Sequence, residues 1–574
     1  MDIFRYNISL VLSEILHLPS QDIDGLIEIP PEEHLGDYAL PCFRLGSVLK
    51  QSPQKIATDI ASNIAQIDFV KEVKTSGGYV NFFLNTEIFI SRALNQIEKG
   101  GFGKSEQGRG KTVVIDFSSP NIAKPFSVGH LRSTVIGNSL SRIYEYLGYN
   151  VIKINHLGDW GTQFGKIIVA FEKWGKQELL DSDDPVKYLV ELYVRFHEES
   201  KKDTSLEEIA RTRFKELEEG KKGVVLLWEK FKVISLKEFQ RIYDILGVQF
   251  NSVTGESFYN TGTEDFIKRI SSMGLTKESQ GALIVDLERF GMPPLLLRKS
   301  DEATLYATRD LVCAIYRYEK YRFDKMLYVV GQDQRLHFKQ VFQVLKMMGH
   351  SWADRCFHID FGMIRSGGEK MSTRRGRVVL LEDVLTLSNN YVGIIMKDRP
   401  FSETAKQTIA RNVGVAAVIF SDLKNKRIKD IDFDIEKALS YNPQDQTFKG
   451  QTGPYLQYIN ARLSSLLKRY GKPIEKDVTL QPLKDEQEFK VVRALYRYPE
   501  IVINAANSNE PSMIADYLLD VASLFSTYYQ DKNKHKIISD NEPLSSARIR
   551  MCSGVKDVLL SGFYLLGINA VEEM

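Results

Sequence analysis

The alternation of apolar and polar positions changes character twice along the chain. Residues 1–105 combine a helical pattern over 3–16 with a strand-like alternation over 79–84. Residues 106–385 contain apolar, β-branched runs that are each followed by a loop and an amphipathic helical pattern. Beyond them helical periodicity dominates, and one of the helices that it predicts covers residues 489–504. The pattern predicts a small α+β domain over 1–105, a central α/β domain over 106–385 and an all-α domain over 386–574.

The central domain opens with a strand, a loop and a helix that make one βαβ unit over residues 112–157. A β-branched run ends at Asp116, apolar residues recur with helical spacing over 136–147, Gly148 stops the helix, and a second apolar run completes the unit. Further strand–loop–helix repeats, interrupted by a charged insertion over about 175–300, predict a doubly wound, Rossmann-like parallel sheet.

The loop of this unit carries residue types that bind phosphate. In a βαβ unit the start of the helix directs free N–H groups and a positive dipole end toward ligands at the sheet edge. Lys124, Gly129 and His130 occupy that position. A capped helix with a surface histidine would show the same residues, and neither G-x-x-x-x-G-K-[ST] nor G-x-G-x-x-G accompanies them.

A second loop, after the apolar run 357–361, is strongly basic. It contains Lys370, Arg374, Arg375 and Arg377 in a Gly- and Ser-rich turn. Such cations suit a transferring phosphate, because this chemistry depends on positioning and charge neutralisation, although a solvated basic turn has the same composition. Since the carboxyl ends of parallel strands meet at one edge of a sheet, the two loops together predict a phosphate site in the crevice there.

Two carboxylates are placed to make this crevice acidic. Asp116 closes the first strand, and Asp310 follows Tyr306 by four residues, on one face of a predicted helix. Carboxylates that face a cleft select a cationic substrate and can hold a guanidinium through two hydrogen bonds. The competing interpretation is that both acids form ordinary surface salt bridges.

One helical stretch of the C-terminal domain mixes aromatic and basic residues. Tyr455, Gln457, Tyr458 and Arg462 occur close together. Aromatic rings stack on unpaired RNA bases and arginine binds phosphate, so the stretch is a candidate RNA contact. A core helix with a charged outer face would carry a similar pattern.

The composition of the chain argues against several classes of protein. Lys and Arg total 76 and Asp and Glu 74, which gives a net charge of +2. The net charge therefore carries no information about the partners of the protein, and any nucleic-acid-binding surface has to come from local patches of positive charge. The four cysteines form no C-x-x-C pair and the nine histidines no H-E-x-x-H spacing, which argues against disulfides, zinc and other metal sites. The sequence has no signal-peptide pattern and no apolar run of about 18 residues, so we expect a cytoplasmic protein without a membrane span.

The motifs taken together resemble arginyl-tRNA synthetase, a class I aminoacyl-tRNA synthetase. The resemblance rests first on the loop F-S-S-P-N-I-A-K-P-F-S-V-G-H-L-R-S-T over 117–134. Other segments agree in the same order: G-D-Y-A (36–39), N-H-L-G-D-W-G-T-Q (155–163), Y-A-T-R-D (306–310), G-Q-D-Q-R-L-H-F (331–338), K-M-S-T-R (370–374) and T-G-P-Y-L-Q-Y (452–458).

The resemblance implies ATP-dependent activation of arginine to arginyl-adenylate and transfer of arginine to the 3′ end of a tRNA, with Mg²⁺ accompanying ATP and no zinc. By motif, the ATP ligands would be Lys124, Gly129, His130, Lys370, Met371, Ser372 and Thr373. The residues that take part in catalysis would be His130, Lys370 and Ser127. The arginine pocket would be lined by Asp116, Ser119, Asn121, Tyr306, Asp310 and Gln334.

The resemblance also implies how the tRNA is bound. The C-terminal helices would read the anticodon, using Tyr455, Gln457, Tyr458 and Arg462. The N-terminal domain would touch the outer corner of the tRNA. Because the family is often monomeric, a monomer is expected.

One position departs from the family pattern. Family members usually carry histidine at position 127, giving H-x-G-H, whereas this chain has Ser127-Val128-Gly129-His130. Serine keeps a hydrogen-bond donor but has no positive charge and a shorter reach. We therefore hypothesise an active but slower enzyme. The K-M-S-T-R loop also lacks the second lysine of K-M-S-K-S, a charge that Arg374 or Arg375 could supply.

Three rival functions remain from the sequence. A catalytically impaired paralogue that serves as a tRNA-binding module is supported by Ser127 alone. A cysteinyl enzyme would need a thiolate-bound zinc, which the scattered cysteines do not offer. A nucleotidyltransferase with the same phosphate loops would have no use for the long helical C-terminus.

Overall fold

The structure is a computed structural model that describes residues 2–182, 184–299, 305–366, 369–370, 380–474 and 479–574. The chain forms two compact units. The first unit comprises 1–103, 462–504 and 517–560, and the second comprises 104–461, 505–516 and 561–574.

Helices dominate the described part of the chain. They are α1 Ile3–Leu16, α2 Ser20–Asp24, α3 Phe43–Leu49, α4 Pro53–Asn63, α5 Thr86–Ile97, α6 Val128–Tyr146, α7 Thr162–Trp174, α8 Gln177–Leu180, α9 Pro185–Glu199, α10 Ser205–Glu218, α11 Lys222–Leu246, α12 Glu256–Asn260, α13 Thr263–Ser272, α14 Tyr306–Tyr321, α15 Arg335–Met347, α16 Leu381–Met396, α17 Glu403–Leu423, α18 Ile435–Leu439, α19 Gly453–Tyr470, α20 Glu486–Tyr496, α21 Tyr498–Ser508, α22 Ser512–Gln530 and α23 Glu542–Leu566.

The strands are short. They are β1 Tyr38–Pro41, β2 Val70–Ser76, β3 Tyr79–Leu84, β4 Thr112–Asp116, β5 Asn150–Leu157, β6 Ser252–Gly255, β7 Thr276–Ser279, β8 Ala282–Val285, β9 Leu295–Arg298, β10 Lys325–Tyr328, β11 Cys356–His358, β12 Ile364–Ser366, β13 Glu369–Lys370, β14 Ile431–Asp432, β15 Tyr441–Asn442 and β16 Thr447–Phe448.

The second unit is built on a five-stranded parallel sheet with the order β11-β10-β4-β5-β6. The central strand β4 is buried along most of its length, as expected of a strand whose sheet is covered by helices. From β4 the chain passes through α6 to β5 on one side, and it returns much later to β10 on the other side. The strand order therefore reverses between β4 and β10, and the crevice outside these carboxyl ends is where α/β sheets bind ligands.

The first unit combines a small antiparallel sheet with helices. Its sheet has the order β1-β3-β2. Phe4 is fully buried, and its ring centroid lies 5.1, 4.8 and 5.3 Å from those of Phe69, Phe89 and Tyr496. The core of this unit therefore joins aromatic residues from the beginning of the chain with one from α20.

The predicted fold class is confirmed, because a parallel sheet, a small α+β N-terminal region and a helical C-terminal region are all present. Two details differ from the prediction. Strand β6 lies inside the stretch predicted as an insertion, and it pairs in parallel with β5. The single helix predicted over 489–504 is divided into α20 and α21, since Pro499 has no N–H with which to continue α20. The predicted domain boundaries at 105 and 385 stay predictions.

No helix within the described ranges is long and apolar enough to cross a lipid bilayer.

A buried ion pair joins α6 to α17 in the second unit. Arg132 and Asp422 are 1% and 2% exposed, and Arg132 Nε lies 3.1 Å from Asp422 Oδ2. Arg132 Nη1 also donates to the carbonyls of Gly362 and Lys429 at 2.9 and 2.7 Å. Burial raises the pKa of Asp422 to about 6, and Arg132 opposes that rise. The guanidinium therefore stabilises both the charged carboxylate and two loop carbonyls.

We predict that Arg132→Met lowers the free energy of unfolding by about 3–5 kcal/mol, because it leaves a buried carboxylate without its cation. Since burial raises the pKa of Asp422 in the folded state, protonation favours folding, so the loss should be larger near pH 8 than near pH 5. Urea unfolding at both pH values measures the effect.

The matched control is the double variant Arg132→Met, Asp422→Leu. It has no buried charge and should recover part of the stability that the single variant loses. A single variant as stable as the wild-type protein at both pH values would contradict this account of the ion pair.

Candidate active site

The loop after β4 has an unusual backbone. Ser118, Ser119 and Ala123 have φ angles of 74°, 49° and 57°, a left-handed conformation that is costly for residues with a Cβ atom. Two distant hydroxyl groups stabilise it: Ser133 Oγ accepts from the Ser118 N–H at 2.9 Å, and Ser235 Oγ accepts from the Ala123 N–H at 2.8 Å. Strain of this kind concentrates at functional sites, and this loop directly follows the carboxyl end of β4.

Ser127 is the N-cap of α6 and contacts His130. The Ser127 N–H donates to His130 Nδ1 at 3.1 Å, and Ser127 Oγ lies 3.2 Å from the same nitrogen. Burial and the positive charge of Lys124 lower the pKa of His130 to about 4. His130 is therefore neutral at physiological pH, and because Nδ1 accepts a hydrogen bond, its proton lies on Nε2. Nε2 is thus a fixed donor in the first turn of α6, next to the exposed Gly129.

The second basic loop is described at its two flanks. Lys370 ends β13, which pairs with β12. Outside the described residues lie the predicted ATP ligands Met371, Ser372 and Thr373 and the arginines 374, 375 and 377. On the far flank, Leu380 forms a β-bridge with Ser127, and the Leu381 N–H donates to the Phe126 carbonyl at 3.1 Å. The end of the second loop therefore meets the first loop at the start of α6.

Asp116 is paired with a cation of the protein itself. Arg317 Nη1 lies 2.7 Å from Asp116 Oδ2 with both side chains buried, and Ser119 Oγ donates to Asp116 Oδ1 at 3.2 Å. Burial opposes the charge of Arg317, but Asp116 together with Cys313, Tyr328 and Tyr259 more than offsets this, so the pKa of Arg317 is raised well above its ordinary value. Asp116 is therefore one half of an internal ion pair, and its predicted contact with substrate arginine stays a prediction.

Asp310, on α14, has a histidine as its partner. His337 Nε2 lies 2.6 Å from Asp310 Oδ2, and the His337 ring lies 4.7 Å from the half-exposed ring of Tyr306. Burial opposes the charge of Asp310, but the hydrogen bond from His337 and nearby positive groups more than compensate, so the pKa of Asp310 is lowered. The predicted arginine ligands Tyr306 and Asp310 thus share one neighbour, and Asp310 is an ionised carboxylate.

Two further carboxylates follow the next strands of the sheet and are also paired. Asp159, just after β5, lies 2.6 Å from Lys232 Nζ. Glu256, just after β6, lies 3.0 Å from Arg309 Nη2. Burial raises the pKa of Glu256 to about 7, with Arg309 opposing the rise and Asp310 adding to it. The acidic groups therefore lie close enough to influence one another.

His156 lies among these groups. Burial lowers the pKa of His156, while Asp116, Asp310 and Asp159 raise it and Arg317 lowers it. Its Nδ1 is buried and has no hydrogen-bond partner among the described residues. Asp116, Asp159 and Asp310 therefore all act electrostatically on His156.

Asn121 and Gln334, the remaining predicted arginine ligands, lie on neighbouring loops. Asn121 forms a parallel bridge with Gly158, and a Cβ atom at 158 would lie 2.1 Å from Asn121 Oδ1. Glycine is therefore required there. Gln334 ends a short 3₁₀ turn just before α15 and is half-buried.

Arg317 and His337 are absent from the sequence predictions, although the sequence holds a signal for each. Arg317 continues the face of α14 that Tyr306 and Asp310 define, and His337 lies one helical turn beyond Gln334. Lys232, by contrast, comes from a distant helix, and no local pattern connects it with its carboxylate.

The predicted tRNA-contacting residues differ in exposure. Gln457 is fully buried and donates to two backbone carbonyls, whereas Tyr455 and Tyr458 are half-buried on α19. In the first unit, the Arg462 guanidinium lies 5.1 Å from the ring centroid of Tyr529. Gln457 therefore stabilises the helical core, and its predicted contact with tRNA stays a prediction.

Among the described side chains, no group of His, Cys, Asp and Glu could hold a metal ion.

Three family profiles match successive parts of the chain. The family profile "tRNA synthetases class I (R), catalytic domain" matches residues 90–435, "DALR anticodon binding domain" matches 456–574, and "Arginyl tRNA synthetase N terminal domain" matches 2–84.

Relatives match along nearly the whole chain. Arginine–tRNA ligase of Halothermothrix orenii is 44% identical over 569 residues, which is 99% of each chain. Arginine–tRNA ligase 2 of Bacillus anthracis is 47% identical over 559 residues, which is 97% of each chain.

Solved structures share the fold. The arginyl-tRNA synthetase of Thermus thermophilus has a TM-score of 0.81 at 24% identity and covers 99% of this chain and 100% of its own. The enzyme of Plasmodium falciparum has a TM-score of 0.80 at 24% identity and covers 100% of this chain and 98% of its own.

With a catalytic-domain profile that spans more than half of its length and full-length relatives above 40% identity, the chain belongs to the arginyl-tRNA synthetase family of class I tRNA synthetases.

Proposed function

We propose that the chain is an arginine–tRNA ligase. It uses ATP to convert L-arginine to arginyl-adenylate and diphosphate, and it then transfers the arginyl group to the 3′ end of its tRNA. The observation that carries the proposal is Asp310, an ionised carboxylate that is paired with an imidazole and lies near the switch point of the parallel sheet. Full-length relatives that are arginine–tRNA ligases support it.

Asp310 is the best-suited anchor for the substrate guanidinium. Its pKa is lowered, so it is charged. Among the described residues only His337 donates a hydrogen bond to this carboxylate, which leaves most of its lone pairs available. A planar guanidinium can then bind through two parallel hydrogen bonds, which a lysine ammonium cannot reproduce. The pocket would be completed by Tyr306, Asn121 and Gln334. Asp116 would hold Ser119 in place by accepting the hydrogen bond from Ser119 Oγ.

The loop before α6 is suited to ATP. In the first step the arginine carboxylate attacks the α-phosphorus and diphosphate leaves, so negative charge develops on the phosphate oxygens. The Nε2–H of His130, the N–H groups at the start of α6 and Lys124 are preorganised donors for that charge. Mg²⁺ would accompany the ATP phosphates, and Lys370 to Thr373 would contact them from the second loop.

In the second step a hydroxyl group of the terminal tRNA ribose attacks the adenylate carbonyl, and AMP leaves. The helical domain over 456–574 would bind the anticodon, with the half-buried Tyr455, Tyr458 and Arg462 as candidate contacts for base and phosphate. A monomeric state and a cytoplasmic location stay predictions.

We predict that Asp310→Asn raises the KM for arginine by about tenfold to a hundredfold, because it removes a charge-assisted hydrogen bond. The KM for ATP should be unchanged. Arginine-dependent pyrophosphate exchange with cognate tRNA present measures both constants. The control Asp265→Asn, on the exposed face of α13, should leave both as they are. Equal rises in the two constants would contradict the assignment of Asp310 to the arginine pocket.

A second prediction concerns Ser127. Restoring the usual histidine with Ser127→His should raise the pyrophosphate exchange rate, on the order of tenfold, if a positively charged donor at this position limits the reaction. The control Ser127→Ala should stay close to the wild-type rate, because the backbone N–H of residue 127 still fixes His130. A histidine variant no faster than the wild-type enzyme would show that position 127 does not limit the rate.

A further inference from the structure

His337 lies where the candidate arginine ligands meet. It belongs to the first turn of α15, and it is 8% exposed. Its Nε2 is 2.6 Å from Asp310 Oδ2, its ring is 4.7 Å from that of Tyr306, and Gln334 precedes it by one turn. One imidazole thus contacts two of the predicted ligands and shares a chain segment with a third.

The partner of Asp310 differs from those of the acids around it. Asp116, Asp159 and Glu256 are paired with Arg317, Lys232 and Arg309 respectively. A guanidinium or an ammonium compensates the negative charge that would attract a substrate guanidinium. The second oxygens of Asp116 and Asp159 also accept hydrogen bonds, from Ser119 Oγ and from the Ser257 N–H. An imidazole N–H takes up one lone pair of Oδ2 and leaves the other positions available.

The same contact has a second consequence. Arg317 acts electrostatically on Asp310, so an unrestrained Asp310 carboxylate could turn toward this cation of the protein. The short hydrogen bond from His337 holds Oδ2 on the side of Tyr306. The carboxylate is then oriented before the substrate arrives, which reduces the cost of ordering it on binding.

We propose that His337 is a positioning residue for substrate arginine: it fixes Asp310 and supports the ring of Tyr306, without itself touching the reacting atoms. The inference rests on the proposed arginine–tRNA ligase function. Two residues one helical turn apart then have different roles. Gln334 would contact the substrate arginine, and His337 orients the Asp310 carboxylate that binds this arginine.

The test compares three variants in tRNA-dependent pyrophosphate exchange. His337→Ala should raise the KM for arginine about tenfold to a hundredfold, as expected for the loss of a hydrogen bond to a charged group, with the KM for ATP and the kcat within about threefold of wild type. His337→Gln can place an amide N–H near the position of Nε2 and should recover most of the affinity. His337→Asn is too short to do so and should behave like the alanine variant.

A double-variant cycle shows whether His337 acts through Asp310. In the Asp310→Asn background, His337→Ala should change the KM for arginine less than about threefold. His350→Ala is the matched control, because it removes a histidine just beyond the other end of α15, and it should leave the KM for arginine unchanged. If the alanine variant does not fold, the glutamine and asparagine pair gives the same comparison.

Three results would overturn the proposal. They are an unchanged KM for arginine in His337→Ala, equal rises in the KM values for arginine and ATP, and an undiminished effect of His337→Ala in the Asp310→Asn background. A failure of the proposed function looks different, because the wild-type protein itself would then show no arginine-dependent exchange with tRNA.

Discussion

Taking a carboxylate out of water costs several kcal/mol unless a cation or hydrogen-bond donors replace its hydration. The carboxyl edge of the parallel sheet has to meet this cost repeatedly, since Asp116 ends β4, Asp159 follows β5 and Glu256 follows β6. Each is compensated by a cation from a helix that packs beside the sheet. These pairs bring α11 and α14 to the sheet edge and thereby fix the walls of the crevice.

Asp310 is compensated in a different way. Its hydrogen bond comes from His337. This bond stabilises the charged form of Asp310 and leaves the other hydrogen-bonding positions of the carboxylate available. The outcome is a crevice in which three of these acids are satisfied by the protein and a fourth is charged and oriented. A cationic substrate with a planar, two-pronged donor group fits this arrangement. At the start of α6, the neutral His130 and its Nε2–H provide a donor for phosphate.

Much of the fold was predictable because its signals are local. The β-branched run of β4, the periodicity of α6 and the glycine after it predicted the βαβ unit, and the helical periodicity beyond residue 386 predicted the C-terminal class. The edge strand β6 was missed because four residues within a charged region carry little periodicity. The division of α20 from α21 was missed although Pro499 marks it.

The candidate site was predictable in part for the same reason. Tyr306 and Asp310 share a helical face, and the residues of the loop after β4 are adjacent in sequence. The helical face of Arg317 was visible in the sequence, but the ion pairs were not predictable, because the carboxylates that Arg317, Lys232 and Arg309 reach lie on other elements. The sequence left open whether Asp116 faces a substrate cation or forms a salt bridge, and only the structure shows its pairing with Arg317. Likewise, the burial of Gln457 depends on packing that no local pattern records.

The measurement that tests the central claim most directly is aminoacylation of cognate tRNA by the wild-type protein, with ATP and each amino acid in turn. Lysine and citrulline serve as the critical comparisons, because lysine carries the charge of arginine without its planar fork and citrulline has its shape without the charge. We expect tRNA to be charged with arginine and with neither of the others. Charging with a different amino acid, or tRNA binding with no charging at all, would contradict it.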